Sequence, residues 1–308
     1  MSFKITILGS SSALPSYKKF PSAHVINIHE RFFLTDCGEG TQIRIRQFKI
    51  KSSKINHIFI SHLHGDHFFG IFGLISSFNL LGRKNDLHIY SPGDLEKIVY
   101  TVIKKADLNF KLFFHRLSTD KKETVYESKR IKISCFPLNH RIETYGFLFE
   151  EKKKEKNIRK EAIHKYNLTI KDIIKIKNGD DFISEDGKIL SNNELTLPEQ
   201  KTRSYAYCSD TVFESKIIPY IKGVSLLYHE ATFTEDLKET AQITKHSTAS
   251  DAAKIALKAE AERLIIGHFS SRYKDEELIL KEAKTAFKNT FPAKDGLTFH
   301  IPIQTIKE

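Results

Sequence analysis

The chain has 308 residues, 40% of them hydrophobic, enough for one large domain or two small ones. Its 49 Lys+Arg against 38 Asp+Glu give a net charge of +11, which suits a polyanionic partner but excludes little, because lysine-rich, tryptophan-free composition also follows from genomic bias. No run of about 18 apolar residues exists, so no segment is expected to span a membrane; Cys37, Cys135 and Cys208 are odd in number and lack Cys-x-x-Cys spacing, which fits a reducing cytoplasm and not a disulfide scaffold.

Residues 3–8 enter a strand at once, with no signal-peptide pattern before them. Strands follow at 23–28 and 31–35, after a loop of turn formers from Ser10 to Lys19. Asp36-Cys37-Gly38-Glu39-Gly40-Thr41-Gln42 then breaks into a helix ending near Lys49. The apolar, β-branched and aromatic run 55–61 reads as a buried strand. A helix is expected from Phe68 to about Leu81, a strand at 87–90, and a helix at 92–105 with proline near its start. Strands at 112–115, 124–126, 131–136 and 145–149 make the middle strand-rich. From Glu151 to about Pro198 the pattern is interrupted by weakly apolar sequence, first lysine-heavy and then acidic. This stretch reads as an excursion from the domain, which a solvated, partly disordered loop would also produce. Strands resume at 205–208, 224–228 and 264–267, with helices near 248–258 and 276–288. No repeat period is present.

The chemistry concentrates in His62-Leu63-His64-Gly65-Asp66-His67, directly after the strand at 55–61. Residues i and i+2 of extended backbone point the same way, so His62 and His64 can converge on one metal ion. Asp66 and His67 lie where the chain turns into the next helix and can face a second ion, with Gly65 permitting the change of direction. Three imidazoles and a carboxylate within six residues suit zinc. A binuclear site needs more ligands, and His140, Asp210 and His268 each lie just beyond an apolar strand-like run, as His62 does. One carboxylate can span two cations held about 3.5–4 Å apart. Asp36 precedes a helix and is either its cap or a group that fixes a ligand or the loop from behind.

With these residues in place, the chain resembles the metallo-β-lactamase superfamily and, within it, the ribonuclease Z family of tRNA 3′-end processing endonucleases, over nearly its full length. The His-x-His-x-Asp-His pattern marks only the superfamily. More specific are 36–42, His229-Glu230-Ala231-Thr232, His246-Ser247-Thr248 and Phe269-Ser270-Ser271-Arg272-Tyr273. The resemblance implies an α/β fold, an αββα sandwich of two mixed sheets flanked by helices. It makes residues 1–308 a single such domain, with 152–198 an inserted, protruding arm that acts as a tRNA-binding exosite.

It further implies two Zn2+ per chain, with Mn2+ a possible substitute: one held by His62, His64 and His140, the other by Asp66, His67 and His268, with Asp210 bridging. Asp66 would accept the proton of the attacking water, and His246 would stand near the leaving oxygen, oriented by Glu230. Arg272 and Lys18 or Lys19 are candidate phosphate contacts. The arm's lysine run, which includes Lys171, Lys175 and Lys177, is the candidate grip on tRNA. The expected partners are precursor tRNA and a second copy of the chain, since the family acts as a homodimer, in the cytoplasm and without a membrane. One departure stands out: where many members carry glycine and proline in the arm's tip, this chain has Asn167-Leu168-Thr169-Ile170-Lys171-Asp172, although Lys177-Asn178-Gly179 and Glu185-Asp186-Gly187 match.

Two other readings use the same residues. A different hydrolase on this fold, such as a small-molecule phosphodiesterase or sulfatase, would need no arm and would show no preference for tRNA. A non-catalytic RNA-binding protein with structural zinc would hold its metal in a closed four-coordinate site, whereas this ligand set leaves room for a bridging water.

Overall fold

A computed structural model describes residues 2–14, 19–184 and 186–305. The chain divides into two compact units, Met1–Glu150 with Ser204–Ile301 and Glu151–Arg203 with Pro302–Glu308.

In the first unit the chain forms β1 (Phe3–Gly9), β2 (Ala23–Ile28), β3 (Arg31–Thr35), α1 (Thr41–Gln47), β4 (Ile55–Phe59), α2 (Gly65–Phe68), α3 (Gly70–Leu80), β5 (Leu87–Ser91), α4 (Leu95–Val102), β6 (Leu112–Arg116), β7 (Glu123–Glu127), β8 (Ile131–Pro137) and β9 (Tyr145–Glu151). The second unit supplies α5 (Lys160–Lys165), α6 (Ile170–Asn178), β10 (Phe182–Ile183), β11 (Ile189–Leu190) and α7 (Asn192–Leu195). The first unit resumes with β12 (Ser204–Cys208), α8 (Ile218–Ile221), β13 (Leu226–Glu230), α9 (Lys238–Thr244), α10 (Ala249–Lys258), β14 (Leu264–Gly267), α11 (Glu277–Ala286), β15 (Thr290–Pro292) and β16 (Thr298–His300).

Two seven-stranded mixed sheets result, ordered β16-β1-β2-β3-β4-β5-β6 and β15-β14-β13-β12-β9-β8-β7. Their inner faces meet through Phe3, Ile5, Phe33 and Phe59 on one side and Ile133, Phe147, Phe149, Tyr205 and Tyr207 on the other. The outer face of the first sheet is covered by Ile45 of α1, Ile71, Leu74 and Phe78 of α3 and Val99 of α4. The outer face of the second is covered by Ala252, Ala253 and Ala256 of α10 and Ile279 of α11. Strands β9, β12 and β14 are buried nearly throughout and read as continuous apolar runs, whereas β1 alternates at Lys4 and Thr6 and the edge strands β6 and β7 are partly exposed. The layers are α/β/β/α, the sandwich expected from the sequence. The first strand is interior to its sheet because the last one, β16, pairs antiparallel with it, Lys4 opposite His300.

Three sequence expectations are corrected. The helix expected at 68–81 is two, α2 and α3, with the break at Phe69. There the backbone of Gly70 packs on residues 37–38 so closely that a Cβ would lie 2.0 Å from the Gly38 carbonyl oxygen. The helix expected at 92–105 runs only from Leu95 to Val102. The strand expected at 224–228 is shifted to Leu226–Glu230, pairing in parallel with β12 and β14.

The second unit is ordered. A small core of Ala162, Leu168, Ile176, Leu190 and Leu195 holds it. Both capping boxes that start its helices are complete, Thr169 with Asp172 for α6 and Ser191 with Glu194 for α7. Thus Thr169 and Asp172, in the stretch that departs from the glycine and proline pattern, begin a helix, and Gly179 at φ +111° ends it. Glu151 and Arg203 form a buried ion pair at 2.6 Å.

Candidate metal centre

Strand β4 delivers the chain through Ile60 and Ser61 to His62; His64 is the N-cap of α2, and Asp66 and His67 lie in its only turn. The loop after β8 brings His140, the end of β12 brings Asp210, and the end of β14 brings His268. All seven candidate ligands converge. His64 Nδ1 is 3.0 Å from His62 Nε2 and 3.2 Å from His140 Nε2. On the other side, Asp66 Oδ2 is 3.2 Å from His67 Nε2 and 3.3 Å from His268 Nε2. Asp210 faces both sets: Oδ2 lies 3.5 Å from His62 and 3.8 Å from His140, and Oδ1 lies 3.5 Å from His67 and 3.3 Å from His268. Potential ligand atoms of His62, His64, His140 and Asp210 form one group, and those of Asp66, His67 and His268 another.

The far nitrogen of four of these rings is already engaged. His67 Nδ1 donates to Asp36 Oδ2 at 2.7 Å, and His140 Nδ1 donates to the Lys245 carbonyl at 2.7 Å. His62 Nδ1 lies 3.0 Å from Ser61 Oγ, whose own proton goes to Asp36, and His268 Nδ1 lies 3.0 Å from Thr232 Oγ1. Partners of this kind leave Nε2 as the nitrogen turned toward the centre. Those nitrogens then face one another, an arrangement that a cation between them satisfies.

Charge makes the same demand. Asp36, Asp210 and Glu230 are deeply buried and Asp66 partly so, and among the described residues their ion pairs are all to imidazoles, with no lysine or arginine. Burial raises the Asp210 and Asp66 carboxyls, yet the surrounding histidines, His268 and His67 foremost, hold both well below the usual carboxylate range. Burial lowers His67, but Asp66, Asp210 and Asp36 drive it well above its ordinary value. His62, whose burial dominates, is pushed down to about 4. Buried carboxylates without compensation are costly, so nitrogen and oxygen donors in this ratio fit divalent metal well.

Asp36 does not cap a helix; α1 has Gly40 as its N-cap. Held at φ +52°, Asp36 accepts from Ser61 N, Ser61 Oγ, His67 Nδ1 and Tyr207 Oη at 2.7–2.9 Å. It braces His67 from behind. His268 also has positive φ, +60°. Backbone strain of this kind at buried non-glycine residues persists only where surrounding contacts enforce it.

Beside the cluster, His246 Nδ1 lies 2.9 Å from Glu230 Oε1. Burial pushes this imidazole down, but Glu230 and Asp210 overcome it and bring it up to about 9. Glu230 is fully buried and accepts also from the backbone of Thr211, Thr232 and Ser247 and from Thr232 Oγ1.

The cluster opens into a cleft of about 630 Å³, whose walls include Leu14, Arg141, Phe233, Thr244 and Arg272. Arg272 is exposed and lies over the Phe233 ring at 5.6 Å. Lys19 is not in that lining and pairs with Glu276 at 2.6 Å; Lys18 lies outside the described residues. Lys171, Lys175 and Lys177 are on α6 of the second unit, the last 3.9 Å from Glu155. Sequence reasoning assigned no part to Arg141, Tyr207 or Thr232. Arg141 adjoins His140, and Thr232 ends the His229-to-Thr232 motif, so both carried a local signal; Tyr207 carried none, because its link to Asp36 crosses the sandwich.

A family model described as Anti-Pycsar protein Apyc1 matches residues 3–159, about half of the chain. Over nearly the whole chain the similarity is to proteins named Ribonuclease Z. That of Phocaeicola vulgatus is 45% identical over 307 residues, covering 99% of both chains. That of Bacteroides thetaiotaomicron is 44% identical over 301 residues, covering 97% of this chain and 95% of the relative. The crystal structure of human tRNase Z, short form, has the same fold, with a TM-score of 0.70 at 24% identity, covering 97% of this chain and 99% of that one.

Proposed function

Because the chain belongs to the ribonuclease Z family, we propose that it is a metal-dependent endoribonuclease that removes the 3′ trailer from precursor tRNA and leaves a 3′-hydroxyl on the tRNA. The observation that carries this reading is Asp210, whose two oxygens face separate ligand sets, with the His246–Glu230 pair beside them in one open cleft.

His62, His64 and His140 would hold one Zn2+, and Asp66, His67 and His268 the other, with Asp210 shared; Mn2+ offers a substitute with the same donor preferences in part. Bound there, two divalent ions supply Lewis-acid chemistry, acidifying water and neutralising charge on phosphoryl oxygens. The chain's own residues do the rest. Asp66, kept ionised by the neighbouring imidazoles, accepts a proton from the attacking water. His246 delivers a proton to the leaving oxygen, and its Nδ1–H bond to Glu230 aims Nε2 away from the carboxylate. Arg272 and Arg141 in the cleft walls provide cations for flanking phosphates. The second unit, with Lys171, Lys175 and Lys177 on α6, grips the tRNA body, and the active form is a cytoplasmic homodimer. Backbone and shape contacts of this kind position RNA without reading its bases.

The alternative is a small-molecule hydrolase on the same fold, and the Apyc1 family model over residues 3–159, which spans the His62–His67 motif, bears on the metal centre without choosing between substrates. Side-by-side cleavage of a precursor tRNA and a nitrophenyl diester, with and without chelator, separates the two. The tRNA reading expects chelator-sensitive cleavage at the 3′ end of the tRNA body, at far higher kcat/KM than for the diester. Comparable efficiency on both substrates would favour the alternative.

A further inference from the structure

We propose that Thr232 is a positioning residue whose hydroxyl couples the Asp66–His67–His268 subsite to the His246–Glu230 pair, so that metal binding and proton delivery depend on one side chain. The inference rests on the roles given above to those two groups.

Thr232 Oγ1 lies 2.8 Å from Glu230 Oε2, 3.0 Å from His268 Nδ1, 3.0 Å from the His268 carbonyl and 3.4 Å from His246 Nδ1. A hydroxyl has one proton and two lone pairs. His246 Nδ1 has a nearer acceptor in Glu230 Oε1 at 2.9 Å and donates there. The hydroxyl proton goes to the Glu230 carboxylate, the shorter and charged partner. Oγ1 is then free to accept from His268 Nδ1–H, for which it is the one hydrogen-bond partner among the described residues. The chain of donors runs in one direction, from His268 through Thr232 to Glu230, and Glu230 receives His246 on its other oxygen.

The consequence lies at the opposite nitrogen of His268. With the proton held on Nδ1, Nε2 presents a lone pair where Asp66 Oδ2 and Asp210 Oδ1 are each 3.3 Å away. Without the hydroxyl, Nδ1–H has no acceptor, while an Nε2–H would meet two carboxylates. The imidazole then changes to the tautomer that cannot ligate a cation. Glu230 simultaneously loses one of two donors on Oε2, keeping the Thr232 N–H there and the Thr211 and Ser247 N–H groups on Oε1, so the carboxylate that orients His246 is held less firmly.

Thr232→Val keeps the shape and removes the hydroxyl; Thr232→Ser keeps the hydroxyl. Zinc affinity would be read by chelator competition, and kcat on precursor tRNA compared with kcat on a nitrophenyl diester, whose leaving group needs no proton. Thr232→Val is expected to hold one of two zinc equivalents about 10–100-fold more weakly, and to lose more rate on tRNA than on the diester once zinc is saturating. Thr232→Ser should restore both. Both equivalents bound as in the parent protein, or Thr232→Ser as weak as Thr232→Val, would overturn the proposal. Should Thr232→Val fail to fold, Thr232→Ala is read by the same two measurements against Thr232→Ser, and zinc affinity and rates equal to those of the parent protein would refute the coupling. A parent protein that binds zinc but leaves tRNA uncut would sink the proposed function while leaving the zinc measurement to judge Thr232.

Discussion

In the sandwich unit the candidate ligands stand just past strand ends or in a single helical turn, four of their rings held from behind by hydrogen bonds. In the Glu151–Arg203 unit the lysines ride on α6, which packs on a five-residue core, and their ammonium groups reach solvent. Under the proposed function the contrast follows from what each side chain has to do. Ligating nitrogens must be placed within tenths of an ångström, so they are braced by buried partners such as Asp36, Thr232 and the Lys245 carbonyl. Neutralising phosphates on a polyanion asks only for charge in roughly the right place, because most of the gain comes from counterion release. The second unit can therefore be small without losing that use.

Substitutions in the two units should accordingly differ in kind as well as size. The largest effect is expected at the shared carboxylate: Asp210→Ala should lose tightly bound metal from both sets and abolish cleavage of tRNA and diester alike, as read by metal content and single-turnover rates. Retention of two metals with measurable activity would break the contrast, since the one carboxylate that faces both ligand sets would be dispensable. His246→Ala comes next. It should keep metal yet lose roughly 10²–10⁴ in kcat on tRNA, as for a lost general acid, and much less on the nitrophenyl diester. Equal losses on both substrates would reduce His246 to a structural part.

Deleting residues 152–198 with a short linker should act on the other side of the contrast. KM for precursor tRNA should rise and the salt dependence of binding flatten, by roughly 0.7–0.9 in log–log slope for each phosphate no longer neutralised. Diester hydrolysis should stay within a fewfold. Unchanged tRNA kinetics would refute the grip assigned to the second unit. The smallest effect belongs to Thr169→Ala, which opens the capping box of α6. It should cost about 1 kcal/mol of local stability, seen as faster amide exchange within 160–195 and nowhere in the sandwich. Faster exchange in both units would show that they unfold as one.

How far the sequence could anticipate this depended on the range of the contacts involved. The strands were legible because the central ones, covered on both faces, are mostly apolar, as in β9 and β14. The three-residue β15 and β16 were not, since nothing so short has a period. The metal motif was legible from spacing alone, and His140, Asp210 and His268 from their place after apolar runs. Asp36 stayed open between a cap and a brace because its partners Ser61, His67 and Tyr207 come from three other places in the chain. The order of the second unit was harder to see although its capping boxes are local: Thr169-Ile170-Lys171-Asp172 and Ser191-Asn192-Asn193-Glu194 both carry the pattern, but the lysine density around them suggested a solvated loop.

The pairing of β1 with β16 has a consequence for how the protein is made. β1 leaves the ribosome well before β16, from which most of the chain's length separates it. At about 5–20 residues per second, roughly a quarter of a minute to a minute separates them. For that interval Phe3, Ile5 and Ile7 lie on a strand with one open hydrogen-bonding edge, the kind of edge that recruits other chains. His268 also emerges late, long after the His62–His67 motif, so the nascent chain offers metal an incomplete set of ligands. A holdase that covers the open edge during translation should raise the yield of correctly metallated protein more than extra zinc does.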